Sequence, residues 1–167
     1  MILILTGEIE SGKTSVCWKM LEHTEKELSW GGIITVDHGK DRFIHDVSTG
    51  EEVLLSQRIQ DEILFNQSRY HFHQSAFEFG NKVLEKCTDI PFFVCDEVGS
   101  LELDNKGLYS IFHVLEKRHA LCSLLVLRKK LLQLYKKKLN SHVKVFEVTL
   151  RNRNQLHLDI VKYIQKL

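Results

Sequence analysis

Gly7-Glu8-Ile9-Glu10-Ser11-Gly12-Lys13-Thr14 satisfies the pattern GxxxxGK[ST] in full, directly after the apolar run Ile2-Leu3-Ile4-Leu5 and ahead of a helical pattern. The order of strand, tight loop and helix constrains the fold more than any other stretch of this chain. A strand delivers the backbone to a turn whose N–H groups converge, and the helix N-terminus adds its positive end, so the loop is a cradle for an anion. Gly7 and Gly12 permit backbone angles and a close approach that a Cβ would obstruct. Lys13 has the reach for the β- and γ-phosphates of a nucleotide, and the Thr14 hydroxyl is a ligand for Mg²⁺. The candidate nucleotide-binding residues are therefore Gly7, Glu8, Ile9, Glu10, Ser11, Gly12, Lys13, Thr14 and Ser15. Carboxylates pointing into such a loop would repel phosphate, so Glu8 and Glu10 are expected to face outward.

The remainder of the chain supports an α/β organisation. A length of 167 residues suits one domain, residues 1–167, with a substantial core. Helical periodicity over 12–26 places Val16, Cys17, Met20 and Leu21 on one face. Short strands at 33–36, 42–47 and 51–55, with turns at His38-Gly39 and Thr49-Gly50, read as an antiparallel meander inserted after the first helix. Then come a helix at 74–86, a buried strand at 92–95 behind the sole proline, Pro91, and a helix at 105–117. A strand at 121–127, a helix at 129–138, a strand at 143–148 and a helix at 154–165 complete the chain. Such alternation implies parallel crossovers, hence a mostly parallel doubly wound sheet flanked by helices.

Composition narrows the setting. The net charge of +1 gives no global field for nucleic acid or membrane. The local basic cluster, Arg128, Lys129 and Lys130 with Lys136, Lys137 and Lys138, reads either as a solvated helix face or as a phosphate-facing lid. Four cysteines without a CxxC pair fit a reduced protein, and no signal segment or membrane span is apparent, so the cytoplasm is the expected compartment. His71-Phe72-His73 would put two imidazoles on one strand face, without a third ligand at a suitable spacing for metal. Phe65, Tyr70, Phe72, Phe77 and Phe79 are expected mostly in the core.

The second informative stretch is Phe92-Phe93-Val94-Cys95-Asp96-Glu97. An apolar strand ending in an acid is the partner a phosphate-binding loop requires, with Asp96 holding Mg²⁺ together with Thr14. A carboxylate placed immediately after it, Glu97, is suited to polarise a water for in-line attack on the γ-phosphorus. Lys13 and Glu97 are thus the candidate catalytic residues, and Thr14 and Asp96 the candidate metal ligands.

These blocks resemble the THEP-type nucleoside-triphosphatases, a P-loop family first named for a thermophile enzyme and also represented in humans. Residues 96–103, Asp-Glu-Val-Gly-Ser-Leu-Glu-Leu, are similar to the family's Asp-Glu-Ile-Gly-Lys-Met-Glu-Leu block. Gly31-Gly32-Ile33-Ile34-Thr35, Tyr70 with Phe77-Glu78, and Val148-Thr149 with Asn152-Arg153-Asn154 resemble further blocks in the same order. The resemblance implies Mg²⁺-dependent hydrolysis of several nucleoside triphosphates to diphosphate and phosphate. It also makes Asn152 and Arg153 candidates for the base side of the nucleotide, beside their plainer reading as a helix N-cap region. Two departures stand out: Ser100 replaces the family's lysine, and the segment after Thr35 is shortened and keeps one arginine, Arg42.

The expected activity is therefore hydrolysis of ATP, GTP and other nucleoside triphosphates, with Arg42, Arg128 or Arg153 neutralising charge as the bond breaks. The expected partner is the nucleotide alone, bound by a monomer. A kinase, with 128–138 as lid, and a slow nucleotide-dependent switch are the alternatives. Asn105-Lys106-Gly107-Leu108 lacks the acid of a guanine-reading motif.

Overall fold

Alternate residues of β1 (Ile2–Gly7) leave on opposite faces of the sheet, and both faces are apolar: Leu3 and Leu5 enter one hydrophobic cluster, Ile4 the other. A strand buried on both sides needs helices above and below, and α1 (Lys13–Thr24) and α6 (Leu156–Ile164) cover the first face. The second face is covered by α2 (Gln74–Lys86), α4 (Ile111–Lys117) and α5 (Leu132–Leu139), the last preceded by a 3₁₀ turn at Lys129–Leu131. In this computed structural model the described residues are 1–58, 70–117, 121–139 and 142–167.

Those residues form one eight-stranded sheet. The remaining strands are β2 (Trp30–His38), β3 (Asp41–Asp46), β4 (Glu52–Arg58), β5 (Tyr70–Phe72), β6 (Phe92–Val98), β7 (Cys122–Arg128) and β8 (Val143–Val148), in the spatial order β5-β4-β3-β2-β6-β7-β1-β8. From β2 through β6, β7 and β1 to β8 all pairings are parallel. From β2 outward to β5 they are antiparallel. The expected meander is present, and it extends one edge of the parallel sheet rather than standing apart from it.

The junction of the two halves rests on Gly32. There β2 pairs with β6 through Gly32↔Val94, at φ +114, and a Cβ on Gly32 would lie 1.9 Å from the Val94 carbonyl oxygen. Only glycine allows this contact between the strand that starts the meander and the strand that ends in Asp96.

Four expectations require correction. The helix expected over 105–117 begins only at Ile111, because Asn105 takes a left-handed φ of 55° and the chain turns about a buried carboxylate. That carboxylate is Glu102, on the short helix α3 (Ser100–Leu103), and it accepts the Gly99 N–H at 2.7 Å and the Leu108 N–H at 2.9 Å. Asn81 of α2 secures the same turn, accepting the Ser110 N–H at 3.0 Å and donating to the Gly107 carbonyl at 2.9 Å. The last helix starts at Leu156 rather than 154, after turns closed by Asn152. Phe72, expected in the core, is 48% exposed at the sheet edge, with its ring against Phe77. Phe65 and the side chains of Tyr70 and His71 lie outside the described residues, and His73 stands at the start of α2 rather than in a strand. No described group of three His, Cys, Asp or Glu side chains suits a metal ion, and no described helix is long and apolar enough to cross a membrane.

Gly32→Ala is expected to destabilise the fold by about 3 kcal/mol or more, summing overpacking and a left-handed alanine. Urea unfolding of the variant beside wild type measures this.

Candidate active site

β7 separates β1 from β6, so the loop leaving β1 and the acid ending β6 must meet across the carboxyl end of a third strand. They do so through one short bond: the Thr14 hydroxyl donates to Asp96 Oδ2 at 2.6 Å. Thr14 is in the first turn of α1, where the helix presents its N–H groups and positive end. Asp96 is 2% exposed, and its other oxygen, Oδ1, accepts the Glu97 N–H at 2.7 Å.

The loop is built as its sequence implies. Glu8, Ile9 and Glu10 are exposed. Ser11 is buried, and its Oγ has no hydrogen-bond partner among the described residues. A Cβ on Gly7 would come within 2.6 Å of both that Oγ and the Val148 carbonyl, which is why the position is glycine. Lys13 folds back over the loop, donating to the Glu8 carbonyl at 2.7 Å and the Gly7 carbonyl at 3.3 Å. Partial burial lowers its pKa from the ordinary value, against the opposing pull of the Asp96 and Glu97 carboxylates. Its carbonyl contacts are ones a phosphate could replace by a short swing of the side chain.

Glu97 leaves the strand. Asp96 pairs with Val126 and Val98 with Leu127, so Glu97 is an extra residue, held at a left-handed φ of 60°. A non-glycine residue there costs about 1 kcal/mol, and such bulges re-aim a side chain. The following residue pair is clamped: the Gly99 carbonyl accepts the Tyr135 hydroxyl at 2.6 Å while its N–H goes to Glu102. The Glu97 carboxylate thereby faces a cleft of about 280 Å³ lined by Thr14, Ser15, Trp18, Thr35, Asp37 and Arg42 among others. Arg42 Nη1 donates to Glu97 Oε2 at 2.7 Å, while Arg42 Nε and Nη2 donate to Asp37 at 2.7 Å and 3.2 Å.

The other candidates sit at the loop's far side. Asn152 is occupied by its own turn, accepting the Thr149 N–H at 2.8 Å and donating to the Glu147 carbonyl at 2.9 Å. Arg153 is exposed and lies over the loop, its Cδ 3.5 Å from where a Cβ on Gly12 would stand. Arg128 is exposed and in register with Gly7 across β1 and β7. The basic stretch 129–138 is no free arm: Leu131 and Tyr135 are buried, and Lys129 pairs with Glu147 at 2.6 Å. Ser100 is exposed on α3. Asp37, Thr35 and Trp18 were not singled out by sequence reasoning; the only signal for Asp37 is its place opposite Arg42 across the expected turn at Gly39.

The donor set suits Mg²⁺. Thr14 Oγ1 and Asp96 Oδ2 are hard oxygens 2.6 Å apart, close to the about 2.9 Å that separates neighbouring ligands of an octahedral ion with bonds of about 2.1 Å. Two protein oxygens leave the other positions to phosphate and water, as this ion prefers.

A family model described as NTPase matches residues 2–161. The chain is similar in fold to the crystal structure of THEP1 from the hyperthermophile Aquifex aeolicus, at 20% identity over 99% of both chains with a TM-score of 0.78. It is similar in fold also to the solution structure of a human cancer-related nucleoside triphosphatase, at 24% identity over 98% of this chain and 97% of the other, TM-score 0.74. No curated protein matches the sequence.

Burial pushes the Asp96 carboxyl from an ordinary 3.8 up to about 7, although the Thr14 and Glu97 hydrogen bonds favour the anion. The folded metal-free protein therefore keeps this proton to higher pH than the unfolded chain does. Its contribution favours folding at low pH and is lost as pH rises from about 4 through about 7. Asp96→Asn is expected to be more stable than wild type at pH 8 without metal, by on the order of a few kcal/mol, and level with it near pH 4. Unfolding curves of both proteins in chelator across this range test the sign.

Proposed function

The chain belongs to the NTPase family, and on that premise we propose that it hydrolyses ATP, GTP and other nucleoside 5′-triphosphates with broad base preference and Mg²⁺ as cofactor. The products are the nucleoside diphosphate and phosphate. The observation that carries this reading is the bulge at Glu97, which turns a carboxylate into the cleft that Thr14 also lines. A kinase, whose nucleophile is a substrate hydroxyl, would have less need of a water-activating glutamate at that place.

In this reading the backbone amides of Glu8, Ile9, Glu10, Ser11, Gly12, Lys13, Thr14 and Ser15 take the phosphates, with Gly7 giving the loop its room. Lys13 moves from the Gly7 and Glu8 carbonyls to the β- and γ-phosphate oxygens. Thr14 and Asp96 would hold Mg²⁺, which would supply positive charge to offset that of the phosphates. Glu97 accepts a proton from a water placed in line with the β–γ bridge. The water oxygen bonds to the γ-phosphorus as the bond to the bridging oxygen breaks, and the diphosphate leaves with that electron pair. Positive charge from Arg42, Arg128 or Arg153 supports the equatorial oxygens. Arg153, over Gly12, and Asn152, which closes the turn beneath it, form the base side of the site.

The broader setting follows the same reading: one domain over residues 1–167, acting as a monomer on free nucleotide in the cytoplasm, without nucleic acid or membrane. Four buried free cysteines suit a reducing compartment.

Phosphate release with Mg²⁺ and no acceptor is expected from ATP, GTP, CTP and UTP alike. Glu97→Gln is expected to bind nucleotide and to lose at least about 100-fold in release rate. Wild-type turnover in that variant would remove Glu97 from the mechanism, and silence on all four nucleotides would favour a kinase or a switch.

A further inference from the structure

Of the groups in the cleft, Arg42 is the one that grips two carboxylates of this chain, Asp37 and Glu97. Asp37 and Arg42 stand opposite each other in the β2–β3 register. Opposite charges directly across an antiparallel pair attract, and here the grip is two-pronged: Nε to Oδ1 at 2.7 Å and Nη2 to Oδ2 at 3.2 Å. That grip fixes the guanidinium plane and directs Nη1 along the cleft wall to Glu97 Oε2 at 2.7 Å. Arg42 is well shielded, with its side chain 20% exposed, whereas the Glu97 side chain is 37% exposed to the cleft.

This arrangement sets two anions against each other for one cation. The proposed role of Glu97 requires its carboxylate to be free for water. In the structure it is instead paired with Arg42. A γ-phosphate entering beside Thr14 brings more negative charge than one carboxylate, and three acceptor oxygens, to the same cleft. Guanidinium recognises phosphate and carboxylate by the same fork geometry, so the triphosphate is a direct competitor of Glu97 for Nη1.

We infer that Arg42, aimed by Asp37, is a substrate-operated gate on Glu97. Without a γ-phosphate it holds the carboxylate; with one it transfers to the phosphate and releases the carboxylate to water. A diphosphate, which lacks the terminal group, leaves the gate closed. Asp37 is then a positioning residue that keeps the guanidinium within reach of both anions. The inference rests on the reading of Glu97 as the group that activates water, and it adds how the substrate licenses that group.

The test is equilibrium binding without turnover. A β,γ-imido nucleoside triphosphate and the matching diphosphate, each with Mg²⁺, are titrated into wild type, Glu97→Gln, Arg42→Ala and the double variant. Trp18 in the cleft wall serves as the fluorescent reporter after the other tryptophan, Trp30, is changed to Phe. The gate predicts that Glu97→Gln tightens the triphosphate analogue about five- to ten-fold, by removing the competitor, and leaves the diphosphate unchanged. In the Arg42→Ala background the same Glu97→Gln change should have no effect on either ligand. Equal tightening in both backgrounds would mean simple repulsion between Glu97 and phosphate, and would overturn the gate. So would the absence of tightening in the wild-type background. Asp37→Asn, which leaves Arg42 and Glu97 in place, should shrink the triphosphate-specific effect at least two-fold; an undiminished effect removes Asp37 from the gate. Phosphate release by Glu97→Gln is measured on the same preparations. A failure of the hydrolytic role therefore appears there, and a failure of the gate appears in the binding cycle.

Discussion

Everything at this site depends on keeping one carboxylate where water cannot reach it. Asp96 is buried at the end of β6, and an isolated anion there would be strongly disfavoured. The structure answers with two short hydrogen bonds, from the Thr14 hydroxyl and the Glu97 N–H. Each has a structural cost of its own. The first ties the phosphate-binding loop to a strand two places away in the sheet. The second requires the backbone to bend at Glu97 into a conformation that non-glycine residues seldom adopt. A divalent ion would complete the compensation.

The strain is maintained from the far side of the sheet. Gly99, two residues after Glu97, is held by Glu102 and by the hydroxyl of Tyr135, itself fully buried in the cluster beneath α2, α4 and α5. The residues that present Glu97 to the cleft are thus anchored in one core, while α1 and the phosphate-binding loop lean on the other. Among the described residues, the sheet is the element common to both.

How much of this the sequence discloses follows from how local each feature is. The loop at Gly7–Thr14 is legible because its chemistry and geometry lie within eight consecutive positions. Asp96 and the doubly wound class are legible because an apolar run ending in an acid is also local. Glu97 was placed by its neighbour, but not its bulge, since a left-handed glutamate is dictated by β7 pairing on either side of it. The helix start at Ile111 was misplaced because a buried carboxylate at Glu102 redirects the chain, and no helical period records that. The contact of Arg42 with Glu97 spans 55 positions and the width of two strands, so it follows from sheet order alone. Asn152 carried two readings, and its side-chain bonds to Thr149 and Glu147 account for the structural one.

The parallel pairing of β2 with β6 stops at Ile33↔Cys95, yet β2 continues to His38 and returns as β3. Past that point the hairpin has no parallel partner on that side: it is braced at its root by Gly32 and joined to the end of β6 by side chains, where the Thr35 hydroxyl meets the Asp96 carbonyl at 3.4 Å and Arg42 Nη1 meets Glu97 Oε2 at 2.7 Å. The loop and Asp96 are seated among parallel strands, whereas the wall that carries Asp37 and Arg42 is antiparallel and reaches them through side chains alone. The cleft is therefore a seam between two kinds of strand pairing, closed by side-chain bonds where the backbone ladder has ended.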